Sequence, residues 1–130
     1  MCSSDLHQFG RPINEFQGLQ WKLADMSIKL RAAQALVYDA ARSGEGGFPD
    51  MLLAAQAKVF TSESAIQVVN DALQFFGARG YSRELPLERM ARDVRMFTIG
   101  GGTAEVLRNV VAAALLKKKL PQTRDGWGKA

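Results

Sequence analysis

Apolar residues recur along the chain at alternating spacings of three and four, without strand-like alternation, and this pattern predicts an all-α fold. From about Asn14 to Arg42, the residues Phe16, Leu19, Leu23, Met26, Leu30, Ala33, Val37 and Ala40 form a heptad-like seam on one face of a long helix. Trp21, Ile28, Ala32 and Ala35 broaden the surface that this helix is expected to bury. Pro12 and Asn14 suit its start, and the glycine-rich run from Ser43 to Gly47 ends it.

A second helix is predicted from Pro49 or Asp50 to Phe76. Leu52, Val59, Ile66 and Leu73 repeat every seven residues, with Ala55, Ser62, Val69 and Phe76 as a companion row. Small residues between them permit close helix approach, so an up-and-down bundle crossing at a shallow angle of about 20° follows. Gly77 to Tyr81 reads as a loop, and Leu87 to Phe97 as a short helix after Pro86. A last helix runs from Thr103 to about Leu120, with Val106, Val110, Ala113, Leu116 or Lys117, and Leu120 facing inward and Pro121 stopping it. The organisation expected is an extension over residues 1–8, a bundle over 9–120 and a disordered polar tail over 121–130. Three long helices and one short one leave apolar surface uncovered, so self-association or a partner is expected.

The 130 residues suit one domain, and a hydrophobic content of 47% with 23% charged residues makes it globular. The net charge of +4 belongs to the tail: residues 117–130 hold five basic groups and one acid, and the first 116 residues hold twelve of each sign. Lysines in a last helical turn meet the negative end of the helix dipole, and no aromatic residues interleave with them as in a nucleic-acid surface. No apolar run nears the ~20 residues that span a bilayer. The single cysteine, Cys2, and the lack of a signal-peptide pattern in MCSSDLHQFG fit a cytoplasmic protein.

Chemistry concentrates at Gly100, Gly101 and Gly102, directly ahead of Thr103. A glycine turn feeding a capped helix is an ordinary helix start and also a place for an anion or a polar cofactor edge. The order of four stretches decides how to read it. FGRPINEFQGLQWKLADM at Phe9–Met26, AAQAKVFTSESA at Ala54–Ala65, QFFGARGYSRELPLERMARDVR at Gln74–Arg95 and IGGGTAEVLR at Ile99–Arg108 follow one another. Together they resemble the C-terminal helical domain of the acyl-CoA dehydrogenase family, over roughly Gln8 to Leu116.

The resemblance implies a C-terminal four-helix bundle that here lacks its first long helix, because the family's bundle carries one ahead of the FG motif. It implies FAD as cofactor, an acyl-CoA substrate and α,β-dehydrogenation, in which a glutamate takes the α-proton and hydride leaves to the flavin. It also implies a homo-oligomer, dimer or tetramer, and an electron-transfer flavoprotein as electron acceptor. Residue by residue, Gln8 and Phe9 match a loop that reaches the flavin of a neighbouring subunit, although Leu6 stands where an arginine usually meets a phosphate. Gln74, Gly77 and Ala78 match the loop that meets the adenine-diphosphate part, with Ala78 replacing a glycine. Thr103 and Glu105 match flavin contacts, and Gly102 a substrate contact. No catalytic residue is assigned, because Gly101 occupies the position of the family's loop glutamate, and no metal is expected. Arg92 and Asp93 are expected to orient the turn into the glycine loop. Two alternatives stand beside this reading: a non-catalytic assembly module or partner subunit completing another chain's flavin site, and a related oxidase or hydroxylase branch.

Overall fold

The computed structural model describes residues 6–120, so the tail expected over 121–130, with the stop at Pro121, lies outside the described residues. The elements are β1 (His7–Gln8), β2 (Arg11–Pro12), a single 3-10 turn (Ile13–Glu15), α1 (Gln17–Arg42), α2 (Met51–Tyr81), α3 (Leu87–Met96) and α4 (Ala104–Leu116). The fold is the expected all-α bundle with one addition, a two-stranded antiparallel hairpin pairing His7 with Pro12 and Gln8 with Arg11. Phe9 at φ 53° and Gly10 at φ 78° form its two-residue turn. Two successive positive φ angles give the twist that matches paired strands. Strands this short leave no alternation to detect, which is why the sequence pattern hides them.

The fold is organised around α2, which packs against α1, α3 and α4. The residues that allow this are small: Ala55, Ala57, Ser62 and Ser64 are buried along α2, with Val69 and Phe75 further on. Ser62 satisfies its hydroxyl by donating to the Val59 carbonyl at 3.1 Å, so its burial leaves no orphan polar atom. The α1–α2 connection is tied by Ser43, whose hydroxyl donates to the Ala40 carbonyl at 2.6 Å and accepts from the Asp50 N–H at 2.9 Å. Asp50 in turn caps α2 by accepting from Leu53 N–H at 2.9 Å. An ion pair between Lys22 and Asp71 joins the start of α1 to the later part of α2.

The seam predicted on α1 is only partly buried. Leu30 and Val37 are about half exposed, and Trp21 and Ile28 stand 64% and 65% exposed. On α4, Val106 and Leu116 are also exposed rather than inward-facing. The reason is geometric: α2 covers one stripe of each neighbour, and the described residues leave the other stripes open. An apolar cleft of 620 Å³ runs between α1, α2 and α4, lined by Leu36, Val59, Phe60, Val111, Ala112 and Leu115 among others. No helix among the described residues is long and apolar enough to cross a membrane.

Two helix ends differ from the pattern. Gly77 breaks α2 at φ 52°, ψ −132°, but the chain then resumes a helical turn through Tyr81 instead of forming a loop. The Ser82 N–H closes that turn on the Ala78 carbonyl at 2.9 Å. At the other end, α4 stops at Leu116 because Lys117 turns left-handed at φ 51°. The Lys118 N–H then bonds the Ala113 carbonyl at 3.1 Å, satisfying a terminal carbonyl early. Lys117 to Lys119 thus sit at and beyond the helix end, not within its last turn.

The kink depends on Gly80 as well as Gly77. A Cβ at Gly80 would lie 2.5 Å from the Leu73 carbonyl oxygen and 3.1 Å from the Phe76 Cβ. Gly80→Ala is expected to lower the urea midpoint of unfolding, with a loss of about 1–3 kcal/mol from overpacking. Gly18→Ala, where a Cβ meets nothing within 4 Å, is the control and holds or raises that midpoint.

Candidate functional site

The glycine loop is built from the end of α3. Thr98 is buried, and its hydroxyl donates to the Arg95 carbonyl at 3.0 Å. The Arg95 guanidinium donates back to the Thr98 hydroxyl at 3.2 Å. The Thr98 carbonyl accepts from the Ala104 N–H at 3.0 Å, so one residue closes the loop across Ile99 to Thr103. Gly101 and Gly102 take φ angles of 68° and 92°, which glycine adopts without the penalty that other residues meet there. The Lys58 ammonium on α2 donates to the Gly102 carbonyl, fixing the loop to the central helix.

This arrangement corrects one expectation. Arg92 pairs with Glu88, and Asp93 with Arg89 at 3.9 Å, both one turn apart within α3. They brace their own helix, and Arg95 through Thr98 shapes the turn. Local spacing made the nearer charges look relevant; the (i, i+4) geometry of a helix takes them instead.

Thr103 caps α4 by accepting from the Val106 N–H at 3.2 Å, and leaves its hydroxyl proton to donate. Thr103 and Glu105 share a 300 Å³ cleft with Glu63, Gln67, Arg95 and Thr98. Glu63 on α2 is held by Arg108 on α4 through two contacts of 2.7 Å each, a paired-fork geometry. The Arg108 hydrogen bond keeps the Glu63 carboxyl below its ordinary value, against a smaller opposing effect of burial. Lys58, Glu63 and Arg108 were not singled out from sequence. Lys58 and Glu63 lie more than forty residues from the groups they meet, and the available signal was only polar residues on a mostly apolar helix.

The other predicted residues lie elsewhere. Gln8 and Phe9 are in the hairpin ahead of α1, with Phe9 85% exposed and its ring edge-on to Phe16 at 6.4 Å. Gln74, Gly77 and Ala78 are exposed at the kink of α2. Gln74 is sixteen residues beyond Lys58 on the same helix, about 24 Å along its axis at 1.5 Å per residue. The fold therefore gathers Gly101, Gly102, Thr103 and Glu105 at mid-α2 and sets Gln74, Gly77 and Ala78 at its far end. Gly77 and Gly101 both present open backbone, since a Cβ at either would meet nothing within 4 Å. No carboxylate stands at position 101.

Comparison with known proteins places this geometry. Residues 2–116 match the family model described as acyl-CoA dehydrogenase, C-terminal domain. The chain is 63% identical over 123 residues to a 3-sulfinopropanoyl-CoA desulfinase of Variovorax paradoxus, covering 95% of this chain and 31% of that relative. It is 65% identical over 118 residues to the 3-sulfinopropanoyl-CoA desulfinase of Paraburkholderia xenovorans strain LB400, covering 91% and 30%. Among solved structures it superposes on butyryl-CoA dehydrogenase from Megasphaera elsdenii with a TM-score of 0.84 at 43% identity, over 88% of this chain and 30% of that one. The chain thus spans under a third of the length of the relatives it matches.

Substitutions at two positions test the site's construction. Thr103→Ala removes the cap and is expected to lower stability by about 1 kcal/mol in urea unfolding, with Thr103→Ser close to wild type. For Glu63, the folded pKa is depressed, so its pairing stabilises the fold fully above its ordinary value of 4.5 and less as pH falls below it. Glu63→Gln is expected to flatten the acid side of the stability–pH curve below that value. The change is modest because both partners are substantially exposed, at 40% and 51%.

Proposed function

The chain belongs to the acyl-CoA dehydrogenase family, and from that premise we propose that it supplies the flavin-contacting, oligomerising C-terminal part of an oxidoreductase-type flavoenzyme acting on an acyl-CoA thioester. The observation that carries this is the glycine loop: positive φ at Gly101 and Gly102, open backbone at Gly101, a tie to α2 through Lys58 and a helix capped by Thr103 directly after it. The proposed unit is a bundle over residues 9–120, with 1–8 as an extension, of which His7 and Gln8 pair back through the hairpin, and 121–130 as a tail.

FAD is the cofactor of this reading, and the residues present fit it. Gly77 and Gly101 leave room beside the backbone for another group to approach. Gln8, Phe9, Gln74, Gly77 and Ala78 are exposed and take the adenine-diphosphate side. Thr103 and Glu105 offer a hydroxyl donor and a carboxylate acceptor to the flavin side, and the Gly102 backbone lies against the substrate. When bound, the flavin supplies the redox chemistry. The residues of this chain orient it and shape the cleft beside it; Gly101 offers no carboxylate to accept an α-proton, and no residue is assigned as that base.

A second reading of the reaction is favoured by a specific observation. The absence of a carboxylate at Gly101 coincides with 63% and 65% identity to desulfinases. Desulfination exchanges a C–S bond for C–H: a sulfinate and water give the alkane carbon and hydrogen sulfite, with no net electrons to deliver. Dehydrogenation needs both a base and an acceptor such as an electron-transfer flavoprotein; desulfination needs no acceptor. With either reaction, the enzyme proposed is a cytoplasmic dimer or tetramer acting in acyl-CoA metabolism, fatty acids included. The exposed apolar stripes of α1, with Trp21 and Ile28, support that assembly.

Light scattering and flavin absorbance on the full-length polypeptide carrying this segment test the proposal, and a yellow oligomer is expected. A colourless oligomer would favour the assembly-module alternative. Sulfite release from 3-sulfinopropanoyl-CoA without an added acceptor would select desulfination, and acceptor reduction with butyryl-CoA would select dehydrogenation.

A further inference from the structure

The hairpin brings one cation to the edge where Gln8 and Phe9 are exposed. Gln8 and Arg11 are directly opposed in the two-stranded register. Opposed residues of an antiparallel pair project from the same face, so the two side chains share one side of the ribbon. The Arg11 guanidinium lies over the Phe16 ring at 4.0 Å from its centroid. That stacking holds the plane of the guanidinium while leaving its N–H edge available, which is how an arginine is set up to fork onto an oxyanion. Arg11 is exposed and has no carboxylate partner among the described residues. Lys22, which lines the cleft below the hairpin, is committed to Asp71. Leu6, just ahead of β1, is apolar, and its carbonyl accepts from the Ile13 N–H at 2.8 Å, which anchors the ribbon to the 3-10 turn. Phe9, Phe16 and Leu19 line an apolar cleft of 490 Å³ beneath this edge. An anionic group joined to a flat apolar one matches a cation set at the rim of such a cleft.

We propose that Arg11 is a further cofactor-binding residue, whose guanidinium takes a phosphate oxygen of the flavin dinucleotide beside Gln8. This rests on the flavin reading above and adds a residue to it. It assigns the phosphate charge to the second strand of the hairpin, five residues after the apolar Leu6, so the Phe9–Gly10 turn itself sets the distance between cation and Gln8. Arg11 acts here as a binding residue and takes no part in the reaction.

The experiment is titration of FAD, and separately of riboflavin, into flavin-free full-length polypeptide, followed by flavin fluorescence. Riboflavin lacks the phosphates and reports any merely structural effect. Arg11→Gln is expected to weaken FAD binding at least about tenfold and to flatten its salt dependence, leaving riboflavin binding unchanged. Arg11→Lys, which keeps the charge without the fork, is expected to fall between the two. Unchanged FAD affinity in Arg11→Gln, with normal binding by the unsubstituted protein, would overturn this assignment and leave the flavin reading intact. Equal losses for FAD and riboflavin would also overturn it, reducing Arg11 to support for Phe16. Failure of the unsubstituted protein to bind either flavin would overturn the flavin reading and this assignment together.

Discussion

Close approach along α2 is the constraint on which the rest of this structure depends. Ala55, Ala57, Ser62 and Ser64 keep its surface shallow enough for α1 and α4 to pack against it, and α3 packs beyond them. Larger residues there would push the neighbouring helices outward, since interiors tolerate little added volume. The glycine loop inherits its position from the same helix. Lys58 reaches the Gly102 carbonyl, and Glu63 holds Arg108 one turn into α4. The candidate site is thus a feature of α2 and α4 together, not of the glycines alone.

A helix that serves as hub also leaves its neighbours half-covered. Each of α1 and α4 turns one stripe to α2 and keeps others open, so Trp21, Ile28, Leu30, Val37 and Leu115 remain exposed. Apolar faces of this extent are the mark of an interaction surface. The same economy applies to the polar residues. Gln8, Phe9, Gln74 and Ala78 have few obligations to the bundle, whereas Thr98 and Thr103 are bound into it. The side chains that face outward cluster at the hairpin and at the α2 kink.

The kink shows how far sequence reasoning carries into the site. Gly77 was legible as a break because glycine tolerates the angles it adopts, but the resumption of a helical turn through Tyr81 was not. Resumption depends on how tightly Gly80 passes the Leu73 carbonyl, a contact across one turn that no local propensity encodes. The orienting role assigned to Arg92 and Asp93 failed for a related reason. Their charges were visible, but their partners one turn away on α3 were nearer than the loop.

The sequence by itself determined the helices, the small-residue row on α2, the glycine loop before Thr103 and the family resemblance. These are local or ordered signals: periodicity, capping chemistry and motif succession survive in one dimension. Tertiary structure alone decided which stripes of α1 and α4 are buried, that α4 ends at Lys117, and that Lys58, Glu63 and Arg108 frame the loop. An apolar residue is buried only if another element arrives to cover it, and an ion pair forms only between groups the fold brings within reach. Both are facts about distance in space between residues that are distant in the chain.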